Sequence, residues 1–430
     1  MSGPRSSRTL RVAVVARAAA PLHGVGGLER SVGDLVRHLA NRNVEVTLIS
    51  PPPRTVLTPA AADPLSSPLI HLRHVPYITF PFANRRGTTV LDRSTSYLIF
   101  GERAGRLAGR LVAAGSVDVV HGFGAAVLGY ARQRARHQAP LVFNPQGLEE
   151  FGATMVSPPL MKRLGYAPLR WAVRRCARAA DCILATDIAL ESTVIRHLNP
   201  AAGQMRTIPN GIDLPAVTSL AGPPEGAIIR QRHGIGADEF VLLSASRLES
   251  NKGFDVLVSA LARLSANGGP LAACAWRWVI VGGGPERRSL EAQVDRISLG
   301  AHVIFAGRAS DADLHAWYEA ATVFVHPTRY EGSSIVTLEA MAHRRPVVAT
   351  RAGGLPDKVR VGENGWLVAP GDAGALAEAI AEAIDARPRL AAMGARSRAI
   401  VEQEFSWAKL ADRQIAVYEE LLTKRGDRRV

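Results

Sequence analysis

The feature that most constrains this chain is a strand–helix alternation that starts near Arg11 and starts afresh near Phe240. Short apolar runs read as strands at Arg11–Arg17, Val44–Ser50, Val117–Val120, Pro140–Phe143 and Cys182–Thr186, with helical stretches between them, the first over Leu28–Ala40. The second series puts strands at Phe240–Ala245, Trp278–Val281, Val303–Phe305, Val323–Val325 and Pro346–Thr350. Helices fill its gaps at Phe254–Ser265, Glu286–Ile297, Asp313–Ala320, Ser334–Ala342 and Leu376–Ile384. Strands apolar along their whole length are buried on both faces, which a parallel sheet covered by crossover helices provides. Two doubly wound, Rossmann-like α/β domains are therefore expected, with ligands beyond the carboxyl ends of the strands in a cleft between them. A length of 430 residues suits two such cores. The Pro209-Asn210-Gly211 turn and the stretch 215–226 read as the linker, giving domains at 1–213 and 214–404 and a terminal segment at 405–430.

Composition narrows the class. There is no run of about eighteen apolar residues to span a membrane. The polar, basic N-terminus lacks a secretory signal pattern, and three cysteines without a CxxC pair fit a reducing compartment. A cytoplasmic protein is expected. The net charge of +14 favours an anionic partner. Nucleic acid is the weakest of these, because no aromatic-basic recognition motif is present. Pro158 to Arg178 carries Lys162, Arg163, Arg170, Arg174, Arg175 and Arg178 without an acid, interleaved with Leu160, Leu164 and Trp171. Such a stretch can lie on an anionic membrane face or be an ordinary half-buried helix.

The chemistry concentrates in Glu331-Gly332-Ser333-Ser334-Ile335, which leads into a helix carrying Glu339 two turns later. Ser333 or Ser334 is placed to cap that helix, whose N-terminal amides and dipole favour an anion. Carboxylates on either side suit the paired hydroxyls of a sugar diphosphate. Arg247 and Lys252 stand at the two ends of a strand-to-helix loop and could hold one diphosphate without a metal. Gly282-Gly283-Gly284 lets backbone approach a ligand. Gly26-Gly27-Leu28-Glu29 lacks the third glycine of the dinucleotide fingerprint, which counts against a dehydrogenase. Asp311-Ala312-Asp313 resembles a metal-binding Asp-x-Asp, but Ser310 and Asp311 precede a helical pattern and read as its cap. No metal is expected, and no cofactor.

Taken in order, Gly26-Gly27-Leu28-Glu29, Asn210-Gly211-Ile212-Asp213, Arg247…Lys252-Gly253, Gly282-Gly283-Gly284-Pro285, Glu331-x7-Glu339, Asn364-Gly365-Trp366-Leu367 and Phe405-Ser406-Trp407 resemble retaining glycosyltransferases of family 4, which have the GT-B fold. The resemblance implies that Arg247 and Lys252 hold the donor diphosphate, Glu339 the ribose and Glu331 the hexose. It implies contacts from the backbone of Gly332, Ser333, Ser334 and Ile335, with Gly283 and Arg308 near the nucleotide and Gly26 and Gly27 closing over the phosphates. The last helix, about Trp407–Leu422, resembles the family tail that crosses back to the first domain. The family histidine after the Pro140–Phe143 strand is absent; Gln146 stands there and cannot move a proton near pH 7. His121, one strand earlier, could compensate or simply be satisfied in the core. The expected activity is metal-independent transfer, with retention, from a UDP- or GDP-sugar to a hydroxyl of a glycan, lipid-linked or small-molecule acceptor, with peripheral contact to the inner membrane face as an option. A nucleotide-sugar epimerase, or a sugar-nucleotide binder that has lost transfer, are the alternatives.

Overall fold

The computed structural model describes residues 9–24, 26–53, 65–79, 88–135, 138–152, 164–266 and 268–426. Val25, most of the proline- and alanine-rich stretch before residue 65, and Leu160, Lys162 and Arg163 of the basic segment lie outside them. The chain forms two compact units, residues 1–210 with 407–430, and residues 211–406.

The first unit is built on a seven-stranded sheet in the order β3-β2-β1-β4-β5-β6-β7, with every pairing parallel. Its strands are β1 (Arg11–Val15), β2 (Glu45–Ser50), β3 (Ile70–His74), β4 (Val119–Phe123), β5 (Leu141–Asn144), β6 (Cys182–Ala185) and β7 (Met205–Thr207). The helix α1 (Gly27–Ala40) buries Val32, Leu35, Val36 and Leu39, the spacing of one helical face. Each such side chain is worth roughly 1.5–3 kcal/mol before chain entropy is charged against it. The helix α2 (Ser96–Ala113) lies against the loop after β4, where Gly101 and Gly105 allow backbone-to-backbone approach. The helix α3 (Ala167–Ala179) holds the described part of the basic segment. It buries Leu169, Ala172, Val173, Cys176 and Ala177 and leaves Trp171 exposed.

The second unit repeats the plan with six parallel strands in the order β10-β9-β8-β11-β12-β13. These are β8 (Phe240–Ala245), β9 (Trp276–Val281), β10 (Val303–Gly307), β11 (Val323–His326), β12 (Val347–Thr350) and β13 (Gly365–Val368). Among its crossover helices are α4 (Phe254–Leu264), α5 (Arg287–Arg296), α6 (Asp311–Ala320), α7 (Ile335–Ala342) and α8 (Ala373–Asp385). The stretch 215–226, read above as a linker, instead belongs to this unit and is largely helical. Asp213 caps Leu214–Thr218 by accepting from the Ala216 amide, and Glu225 caps Pro223–Arg232 through the Gly222 amide. The prolines taken as breakers occupy the first turns, where a missing N–H costs nothing.

The last helix, α9 (Trp407–Gly426), returns to the first unit. It buries Leu410, Ala411, Gln414, Val417 and Tyr418, one face at helical spacing, and packs on α1. Trp407 stacks on His38, and Arg206 reaches Glu420 at 3.2 Å.

Candidate active site

In each sheet the strand order reverses direction at one place, between β1 and β4 and again between β8 and β11. Crossovers leave such a point toward opposite faces, so the loops beyond it part and open a crevice at the carboxyl edge. In the second unit those loops carry Lys252 and Glu331.

Two close approaches fix them against each other, and a third braces Glu331 from the loop after β12. Gly253 is left-handed, φ 68°, and a Cβ there would stand 2.1 Å from the Pro327 carbonyl oxygen. The Asn251 carbonyl accepts from the Arg329 amide at 2.8 Å and the Thr328 hydroxyl at 3.0 Å. Gly353, φ 51°, presses on the Glu331 carbonyl so closely that a Cβ would lie 1.8 Å from the oxygen. The Gly354 amide then donates to Gly332 at 3.1 Å, and the fully buried Lys358 donates to the Gly354 carbonyl at 3.0 Å. Glycine is required at 253 and 353 by space as well as by φ.

The result is a compact charged group. Glu331 Oε2 accepts from Lys252 Nζ at 2.8 Å and from His326 Nε2 at 2.6 Å, while Oε1 takes the Gly332 amide at 3.2 Å. Because the carboxylate only accepts, the proton of that imidazole contact sits on Nε2. His326 Nδ1 is buried without a partner. Burial alone would push the Glu331 carboxyl up, but the hydrogen bond and charge of His326, with Lys252 behind them, outweigh it and hold the group far below the usual carboxylate range.

The helix α7 starts beside this carboxylate with Ser334 in the N-cap position. Its hydroxyl does not cap the helix, contrary to expectation; it pairs with Thr337 Oγ1 at 2.9 Å. Among the described residues no side-chain acceptor is found on the first-turn amides, so the positive end of the helix dipole stays uncapped. Ser333 lies near the buried Lys358 Nζ, at 3.5 Å, and Gly332 has open space where a side chain would go.

Arg247 does not join this group. Its side chain is 76% exposed and pairs with Glu249 at 2.7 Å. Glu339 also lies apart: it is buried, and its Oε2 accepts from the Tyr318 hydroxyl at 2.9 Å. Gly282 and Gly284 back onto the Ser246 and Leu248 carbonyls, where a Cβ would lie 1.8 and 2.3 Å away. This brings Gly283 against the exposed Arg308, whose Cγ would be 3.4 Å from a Cβ at that position. Asp311 lies in the first turn of α6, which Ser310 caps through the Asp313 amide, as the sequence implied. Among the described residues no group of His, Cys, Asp and Glu is gathered to hold a metal ion.

In the first unit, Gln146 follows β5 with φ 64° and donates from Nε2 to Asn144 Oδ1 at 2.8 Å. It lines a cavity together with Arg17, Tyr97 and Glu150. His121 is not there. Its ring is 1% exposed, bonded through Nδ1 to the Tyr418 hydroxyl at 2.7 Å and stacked on Phe123, and burial lowers its pKa to about 3. The ring faces α9 and is not among the residues that line the Gln146 cavity. Gly26 and Gly27 are exposed at the start of α1, which no side chain caps.

Residues 227–400 match the family described as Glycosyl transferases group 1, and residues 25–215 match Glycosyltransferase Family 4. D-inositol 3-phosphate glycosyltransferase 1 of Catenulispora acidiphila is 30% identical, over 97% of this chain and 97% of its own length. The chain belongs to glycosyltransferase family 4. The transferase is also 33% identical to a GDP-mannose-dependent phosphatidylinositol monomannoside mannosyltransferase of Mycolicibacterium smegmatis, over 56% of this chain and 64% of that one. Its fold is GT-B. Sucrose-phosphate synthase of Thermosynechococcus elongatus superposes with a TM-score of 0.74 at 24% identity, covering 96% of this chain and all of that one. Anabaena HepE in complex with UDP superposes at 0.68 and 22%, with 96% of this chain and all of that one covered.

Two site features of the family 4 transferase escaped the sequence reading. His326 directly follows the apolar run Val323–Val325, which marks a strand end, but nothing local signals its bond to a residue five positions on. Tyr318 reads as one more buried aromatic until α6 and α7 are seen side by side.

Proposed function

We propose that this transferase moves a sugar from a UDP- or GDP-sugar to a hydroxyl of a glycan, lipid-linked or small-molecule acceptor, with retention at the anomeric carbon and without a metal. The observation that carries the reading is the Lys252–Glu331 pair beneath the uncapped start of α7. In the free protein the two charges satisfy each other. A bound donor offers each a better partner: its diphosphate for Lys252, its hexose hydroxyls for Glu331. Arg247 is tied only by a rim pair of the kind worth about 0–1 kcal/mol, so it leaves Glu249 cheaply to clamp the same diphosphate. The acceptor oxygen bonds to the anomeric carbon as the bond from that carbon to the diphosphate oxygen breaks. The diphosphate departs with the electron pair, and the acceptor's proton passes to it. Lys252, Arg247 and the α7 amides stabilise the charge that develops there.

Backbone groups from Gly332 to Ile335 contact the hexose and phosphate in this reading, Gly283 and Arg308 flank the base, and Gly26 and Gly27 close over the phosphates. Glu339 serves the ribose, which requires its carboxylate to turn from Tyr318. Gln146 positions the sugar by hydrogen bonding and transfers no proton. The exposed Leu164 and Trp171, next to the arginines of α3, form the face for an anionic membrane surface. No helix among the described residues is long and apolar enough to cross one.

A thermal-shift screen against UDP-, GDP- and ADP-sugars tests the donor, since a ligand of the native state alone must raise the melting temperature. NMR of the product reports the anomeric configuration, and EDTA-treated enzyme should keep its rate. No shift with any nucleotide sugar would overturn the reading.

A further inference from the structure

His326 ends β11, paired with Ala349 of β12, and its ring is fully buried against Phe324, stacked at 5.9 Å. One ring nitrogen, Nε2, reaches Glu331 Oε2 at 2.6 Å; among the described residues the other, Nδ1, has no partner. A buried polar atom without a partner is destabilising, and an apolar side chain would fill the same space without one. Packing therefore does not account for an imidazole here, whereas the bond to Glu331 does. A carboxylate has about four acceptor positions, two on each oxygen. In the free protein Lys252 and His326 share Oε2, and the Gly332 amide takes one position on Oε1. Other charged groups nearby are directed elsewhere: Arg329 turns to Asp255 at 2.6 Å, and Lys358, from the loop after β12, donates to the Gly354 carbonyl. Once a diphosphate draws Lys252 away, His326 and the Gly332 amide hold one oxygen each, and the remaining positions open to hydroxyls.

We propose that His326 is a positioning residue of the donor-bound enzyme, fixing the Glu331 carboxylate for the sugar hydroxyls after Lys252 has left it for the diphosphate. The inference rests on the transferase reading. In the free protein the role is shared, because both cationic partners hold Oε2. In the donor complex it falls to His326. Burial pushes the Glu331 carboxyl up, and His326 and Lys252 together hold it down. With Lys252 engaged by the diphosphate, His326 keeps the group ionised. Without His326 the carboxyl of the complex titrates higher, and as pH falls it presents an O–H where the sugar needs an acceptor.

His326→Leu removes the donor, and His326→Gln keeps an N–H at about the reach of Nε2. Calorimetry on the full chain compares UDP-glucose with UDP and GDP-mannose with GDP, from about pH 8 to about pH 5.5, above the ordinary carboxylate range. For the pair that binds, the ratio of sugar-nucleotide to nucleotide affinity should stay level in wild type. In His326→Leu it should fall by about 10- to 100-fold and fall further as pH drops. His326→Gln should recover part of it. Affinity for UDP or GDP alone should hold in both variants, since neither ligand carries a hexose. The kcat of His326→Leu, which reports the donor complex, should gain an acid limb that wild type lacks. Added to Glu331→Gln, the leucine should change nothing more, because no carboxylate is left to hold. An unchanged ratio in His326→Leu overturns the proposal, as does a loss independent of pH, a Gln variant no better than Leu, full additivity with Glu331→Gln, or a loss of nucleotide binding in both variants. Wild-type protein that binds neither nucleotide nor sugar nucleotide overturns the transferase reading itself. Wild-type protein that binds a sugar nucleotide with a ratio untouched by His326→Leu leaves that reading standing and removes this role alone.

Discussion

Lys252→Ala is the substitution whose consequences the structure constrains most closely. The Lys252 and Glu331 side chains are 13% and 15% exposed, between a surface pair and a buried one. Surface pairs are worth about 0–1 kcal/mol, and stripping one partner from a fully buried pair costs about 3–5 kcal/mol. His326 remains bonded to Glu331 and keeps the carboxylate from being orphaned, so a loss of about 1–2 kcal/mol is expected. For a domain of this size that lowers the melting temperature by roughly 2–8 °C, and the protein stays folded. The effect on transfer is larger, because the ammonium serves a charge that exists in full only as the diphosphate leaves. Losing one such preorganised donor costs about 10²–10³ in turnover. Initial rates at saturating donor, with a melt of the same sample, separate the two effects. Lys252→Arg should recover part of the rate, since charge matters more here than shape. A folded Lys252→Ala enzyme within threefold of wild-type turnover would refute both the diphosphate role and the displacement of Lys252 from Glu331.

Glu331→Gln should abolish transfer and change acid stability in a defined direction. The folded carboxyl titrates below its ordinary value near 4.5, so its contribution is complete above that pH and fades as pH falls toward the folded value. Urea unfolding of the variant should show lower stability at pH 7 and a flatter decline below about pH 4.5. For His121 the lowered folded pKa of about 3 makes stability fall as pH drops from about 6.5 toward 3, because the unfolded chain takes up the proton first. His121→Asn should remove that slope and leave turnover intact at neutral pH if the ring has no part in transfer. Gly353→Ala puts a Cβ into the Glu331 carbonyl at φ 51° and should cost about 1–3 kcal/mol, with a loss of donor-induced thermal shift beyond what the melt alone explains.

A linear reading finds every interior strand, where an unbroken apolar run declares burial on both faces, and one edge, β10, whose run Val303–Phe305 is apolar although only half-buried. The strands it misses, β3, β7 and β13, are all sheet edges. In β3 only Ile70 is buried, and β7 is three half-buried residues long, so neither carries a periodic signal. At the candidate site, the order of motifs brings out Glu331, Lys252 and Gly283. Motifs do not reveal who pairs with whom. The strand order decides that, since β8 and β11 are neighbours despite two intervening strands, and it sets Lys252 on Glu331 while Arg247 turns to Glu249. Arg17 carries no local signal at all. One arginine among many in a basic chain becomes conspicuous only when no acceptor is found for it among the described residues.

The chain leaves the first unit after Asn210 and returns to it at Trp407. During synthesis the first sheet and its early helices therefore emerge without α9, and His38 and His121 lack their partners Trp407 and Tyr418. The second unit, contiguous in sequence, can finish folding while the first still waits for residues 407–426. Order of manufacture and order of completion are thus inverted, and the interval between them is when a chaperone, or a neighbouring nascent chain, meets the apolar surface that α9 later covers.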